Sequence, residues 1–181
     1  MYFKVLRLYC EQEKARRIKM IKEKVEMIFR EMCFYICKEI YTKTNMDISE
    51  LTLELNNIPT KLDSYAIYVY DKFEDGRIEN RSIQVSYDFF KEIMFDDVPL
   101  DKGLQGRSCD FLIAHELGHY IHEKYLNNKY FDLPKEGMIK NSKINYKENF
   151  ADAFGDWLLN INNPSRNKAI EKILRENNLL N

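Results

Sequence analysis

Histidine is nearly missing from this 181-residue chain: there are three, all between positions 115 and 122. No other segment can supply an imidazole as ligand or base. Cysteine is scarce too. Cys10, Cys33, Cys37 and Cys109 contain no C-x-x-C pair and are too scattered for a disulfide framework, so reduced and mostly buried thiols are expected. Net charge is also lacking, because 28 Lys+Arg stand against 29 Asp+Glu. That leaves no global basic field to hold a nucleic acid or an anionic membrane, and any partner must be recognised locally. The longest apolar run, Met32 to Cys37, is far short of the roughly 20 residues that span a bilayer. Lys4 and Arg7 interrupt the apolar N-terminus and no small-residue cleavage site follows, so it is a poor secretory signal and a cytoplasmic location is expected.

What is present is enough apolar material, 45% of residues, for one sizeable core. From about Glu11 to Lys43, Ile18, Ile21, Val25, Ile28, Phe29, Met32, Ile36 and Ile40 recur at steps of three and four, which predicts a long amphipathic helix. Its first half has a basic excess that reads either as a solvated face or as a docking surface for an acidic partner. Asp47 is placed to cap a short helix through Leu55, although Ile48, Leu51, Leu53 and Leu55 mix helical and strand periods. Tyr65 to Tyr70 and Ile78 to Tyr87 are two β-rich runs around Asp75-Gly76, the dipeptide of a tight type I′ turn, and predict an antiparallel hairpin. Ser86 is a candidate cap for a short helix from Tyr87 to Phe95. A loop from Asp96 to Gly106 follows, then a buried helix from Cys109 to Leu126 closed by Asn127-Asn128. A long polar stretch from 128 to 145 precedes two more helices, Tyr146 to Asn160 and Pro164 to Asn178, the second with Asn163 as cap.

The chemistry lies in Ala114-His115-Glu116-Leu117-Gly118-His119, an H-E-x-x-H pattern inside a predicted helix. Four residues apart, two imidazoles lie about 40° apart in azimuth and about 6 Å along the axis, so both can reach one ion. Glu116 is turned about 100° away, beside the ion, where a base must stand to take a proton from water. His122 is about 10 Å along the axis from His115, too far to complete a compact tetrahedron, and is expected solvated at the helix end or on the rim of the site. Metzincins need a third histidine six residues after the second, where this chain has Tyr125; SprT-like proteases resemble a class using a distant third histidine, which is missing. The third ligand must therefore be a carboxylate. Glu148 and Asp152 lie four apart on one face of a later helix: Glu148 is expected as ligand, with Asp152 fixing the tautomer of a ligand histidine. Tyr120, Tyr125, Tyr130 and Tyr146 are candidate oxyanion donors, Tyr120 and Tyr146 as rim residues.

Phe111-Leu-Ile-Ala-His-Glu-Leu-Gly-His119 and Glu148-Asn-Phe-Ala-Asp-Ala-Phe-Gly-Asp-Trp-Leu-Leu159 together resemble the ImmA/IrrE family of zinc metallopeptidases, over about residues 80 to 160. The family pattern reads F-x-x-A-H-E-x-G-H and then E-x-x-A-N/D-x-F-A-x-x-L-L, with Gly155 standing where an alanine is usual. The resemblance implies zinc on His115, His119 and Glu148, Glu116 as general base, and peptide hydrolysis of a specific protein substrate such as a helix-turn-helix repressor acting in trans. An extended substrate is expected to pair with an exposed edge of the Ser82 to Ser86 strand. The expected fold is α+β: one mostly helical, zincin-like domain over 1–181, helical in 1–60, with a small antiparallel hairpin sheet packed on the H-E-x-x-H helix in 61–181. The alternative is a non-catalytic zinc-binding interaction module.

Overall fold

The computed structural model describes residues 2–56, 65–95, 109–134 and 145–181. They form a mixed, mostly helical α+β fold: α1 (Tyr2–Lys43), β1 (Thr52–Asn56), β2 (Ala66–Lys72), β3 (Ile78–Ser86), α2 (Tyr87–Phe95), α3 (Cys109–Lys124), α4 (Tyr146–Leu158) and α5 (Pro164–Glu176). The expected loop 96–106 and much of the 128–145 stretch lie outside the described residues.

α1 is longer than its periodic stretch, 42 residues or about 63 Å, because neither proline nor glycine occurs before Pro59 to break it. Val25, Phe29, Ile36 and Ile40 are buried, while Ile18 is exposed. Thr44 ends the helix by donating its hydroxyl to the Ile40 carbonyl.

A strand replaces the short helix expected after Asp47. The Asp47 carboxylate does accept a backbone bond, from Ser49 N–H at 2.9 Å, but it closes a turn, and Leu51 N–H bonds back to Ile48. The chain then runs extended from Thr52 to Asn56, pairing parallel with β3 from Thr52–Ser82 to Asn56–Ser86. Strand periodicity wins because β3 offers a row of backbone partners that a one-turn helix lacks. The region 1–60 is therefore not wholly helical, and the three-stranded sheet, in the order β1-β3-β2, is mixed.

The hairpin forms as expected, with β2 and β3 antiparallel and Tyr68 opposite Ile83. Its turn differs. Gly76 N–H donates to Phe73 O and Phe73 N–H to Arg77 O, and only Gly76 of the Asp-Gly pair has positive φ, at 85°. That is a three-residue loop, a type I turn followed by a left-handed glycine, instead of type I′.

Ser86 caps α2 through a 3.3 Å bond from Phe89 N–H, and Phe90 meets Phe29 of α1 edge-on. Asn127 and Asn128 end α3 in left-handed conformations, with Asn128 N–H on the His122 carbonyl. Asn163 precedes Pro164 as expected, yet its side chain makes no cap bond and donates to Asp156 instead. At the C-terminal end of α4, the Lys43 ammonium from α1 donates to the carbonyls of Trp157 and Leu158 and to the Asn160 side chain. Cys33, Cys37 and Cys109 are free thiols, and burial pushes Cys33 up to about 12 and Cys109 to about 11. Among the described residues, no helix is long and apolar enough to cross a membrane.

Candidate metal centre

α3 and α4 cross at a point where there is no room for a side chain. A Cβ on Gly118 would lie 2.7 Å from Ala151 Cα and 3.0 Å from the Ala151 carbonyl oxygen. This close approach brings Glu148, one turn before Ala151, over the face that carries His115 and His119. Gly155 has a similar reason: a Cβ there would lie 2.8 Å from the Phe111 ring, so a glycine at this position makes room for that phenylalanine.

The Glu148 carboxylate spans both imidazoles, with Oε2 3.2 Å from His115 Nε2 and Oε1 3.3 Å from His119 Nε2. One ligand-type atom from each of the three residues falls within 4.8 Å of the others, and all three are half-buried. They could hold a metal ion. Asp152, one turn beyond Glu148 and fully buried, places Oδ1 3.0 Å from His115 Nδ1. Two imidazole nitrogens and one carboxylate are a donor set typical of a catalytic zinc site, and a carboxylate behind a ligand histidine is a recurrent support for one.

No family model, curated protein or solved structure matches this chain.

The charges are strongly coupled. Burial pulls the His115 imidazolium down, but its hydrogen bonds to Asp152 and Glu148, with the nearby charge of Glu116, outweigh that and hold its pKa at about 10. Its Nδ1 faces Asp152 Oδ1 and its Nε2 faces Glu148 Oε2. The same bonds from His115 and His119 outweigh burial at Glu148 and keep its carboxyl well below the usual range. Glu116 moves the other way. Burial raises it, against the pull of the two imidazoles. Its Oε2 accepts a 2.8 Å bond from the backbone N–H of Tyr68 on β2.

The other expected site residues make contacts of their own. His122 is neither solvated nor on the rim: it is buried, its ring stacks on Phe150 with centroids 4.4 Å apart, and Nε2–H donates to the Lys129 carbonyl at 2.7 Å. Tyr120 is also fully buried, and its hydroxyl is engaged with Lys124 and the Asp47 carbonyl. Tyr125 donates to the same Asp47 carbonyl. Tyr146 is exposed near the start of α4 and packs edge-on against His122 and Tyr130. β3 is the middle strand and has no open edge for a substrate; the edge near Glu116 belongs to β2.

Two supports have no signature in the sequence. The Tyr68 anchor is a main-chain group, so no residue type announces it. Arg166 of α5 is fully buried and donates to both the carbonyl and the side chain of Asn149, the residue after Glu148, with Asp156 at 3.7 Å. Only its three-dimensional neighbours distinguish it from a surface arginine.

Proposed function

We propose that the chain is a zinc-dependent endopeptidase of the ImmA/IrrE type, with a zincin-like fold, acting on a specific protein substrate such as a helix-turn-helix repressor. The observation that carries this reading is the placement of Glu116. It stands next to the His115–His119–Glu148 group without joining it, its carboxylate oriented by Tyr68 N–H. A site that only held the fold together would gain nothing from a buried carboxylate with a raised pKa at that point.

The donor set fits zinc, with His115, His119 and Glu148 as the holding residues and Asp152 fixing the His115 ring. Zinc bound there supplies an acidified water, with pKa lowered toward about 7, and polarises a substrate carbonyl. The remaining work belongs to the chain. Glu116 accepts the proton of the attacking water and hands it to the leaving amine. Tyr68 N–H keeps the carboxylate from swinging away between the two transfers. An extended substrate pairs along the outer edge of β2, which places its backbone next to Glu116.

The test is the zinc-loaded protein incubated with a library of proteome-derived peptides and with folded helix-turn-helix repressors, cleavage being read by mass spectrometry. Cleavage abolished by a chelator and by Glu116→Gln, with zinc content of the variant unchanged, is the expected result. Equal cleavage by Glu116→Gln would overturn the assignment.

A further inference from the structure

One face of α1 carries apolar side chains that the fold does not use. Met20, Met27, Phe34 and Tyr41 recur every seven residues, and each is more than half exposed, Phe34 by 73%. The residues that α1 does bury, Val25, Phe29, Ile36 and Ile40, lie on the opposite face. A seven-residue column drifts only about 20° per repeat on a straight helix, so these four side chains form a row about 32 Å long. Heptad spacing of apolar side chains is the spacing by which one helix packs on another.

The charges beside the row indicate what covers it. Glu23 and Arg30 lie on one flank, about 60° from the column, and Lys24 and Glu31 on the other, about 40° away; all four are exposed. Next to Met27, each flank therefore carries one charge of each sign. When a second α1 is laid antiparallel with its two-fold axis at Met27, Met27 meets Met27 of the other copy and Met20 meets Phe34. In the same register Glu23 meets Arg30, and Lys24 meets Glu31. A parallel pair also matches these flanks, but it sets the two basic halves side by side. Between residues 11 and 24, Lys14, Arg16, Arg17, Lys19, Lys22 and Lys24 outnumber Glu11, Glu13 and Glu23 by three charges. Between 28 and 43 the excess is one, Arg30, Lys38 and Lys43 against Glu31 and Glu39. Antiparallel packing brings the strongly basic half against the nearly neutral one and aligns the helix dipoles favourably. The one like-charged meeting is Arg17 with Lys38.

We infer that the occupant of this row is a second copy of the chain, docked through an antiparallel α1–α1 pair centred on Met27. The dimer is isologous, with the remainder of each copy on the outside of the helix pair. This inference is independent of the proposed peptidase activity.

The experiment is molar mass by light scattering at about 100 µM, where an interface of modest size is populated. The wild-type chain is expected at twice its 21.8 kDa. Phe34→Glu should return the monomer mass with an unchanged far-UV spectrum, since the side chain is exposed. Glu23→Lys and Arg30→Glu should each weaken the dimer, and the two together should restore it, because positions 23 and 30 then carry exchanged charges that still meet as opposites. Lys38→Glu should tighten it. A monomeric wild type, or a Phe34→Glu variant that stays dimeric, overturns the inference. A double charge variant that stays monomeric overturns the antiparallel arrangement, since in a parallel pair both new charges would face like ones.

Discussion

Gly118 of α3 and Ala151 of α4 hold the two helices so close that a single added methyl group would lie 2.7 Å from backbone. Alanine is favoured over glycine in a helix by about 1 kcal/mol. Here that gain is outweighed, because neither backbone can yield cheaply and overpacking costs about 1–3 kcal/mol. Gly118→Ala is expected to lower thermal stability and, by pushing α4 outward, to weaken metal binding. Denaturant titration and a zinc competition assay read the two effects; a variant as stable as wild type with full zinc affinity would contradict the close crossing.

Metal dependence divides the two carboxylates of α4. Glu148→Ala should remove stoichiometric zinc binding. Asp152→Asn keeps the shape of the side chain and loses the charge behind His115, so affinity should fall by about 10- to 100-fold. Zinc at a hundredfold excess over its Kd should stabilise the wild type by about 2.7 kcal/mol, seen as a rise in Tm, and should leave Glu148→Ala unmoved. Zinc binding retained by Glu148→Ala and lost by Asp152→Asn would show that the ligand and its support have been exchanged.

His122, outside the His115–His119–Glu148 group, has a pH signature of its own. Burial lowers its pKa, partly opposed by the Lys129 carbonyl, so the folded state holds the neutral ring. Because the folded pKa lies below the unfolded value of about 6.5, its contribution is complete above that pH and is lost as pH falls toward the folded pKa. His122→Phe should cost about 1–3 kcal/mol at pH 7.5, from the unpaired Lys129 carbonyl. The variant should then lose less stability than wild type between pH 7 and 5. Parallel pH profiles for both proteins would exclude a buried neutral ring.

Arg166 and Asp156 form a pair in which both side chains are fully buried. Removing only the cation leaves a buried carboxylate, a change that typically costs about 3–5 kcal/mol. Arg166→Met should be severely destabilised, and Asp156→Asn introduced alongside it should recover part of the loss. A double-mutant cycle measures the coupling. No coupling would mean that Arg166 acts only through Asn149.

Local features were legible in the sequence where the information is itself local. The spacing of His115, Glu116 and His119 follows from helix geometry alone, and the four-residue step from Glu148 to Asp152 correctly placed both carboxylates near the histidines. β1 was not legible, because its parallel partner lies about 30 residues downstream and its leucines fit either period. For the same reason the position of β3 in the middle of the sheet, which removes it as a substrate edge, could not be read from the alternation of Ser82 to Ser86. The Asp75-Gly76 pair marked the turn but not its type, since only the glycine takes positive φ. His122 was misplaced because helical position gives its azimuth, whereas Phe150 and Lys129, which enclose it, come from other segments.

The donor that orients Glu116 is an amide of the main chain, so the side chain at position 68 has no say in it. Any substitution there except proline preserves the bond, provided β2 keeps its register with β3. The aim of this carboxylate is thus inherited with the pairing of two strands. It can persist through wholesale turnover of the neighbouring side chains, and a one-residue slip of β2 would redirect it while leaving every letter of the H-E-x-x-H pattern in place.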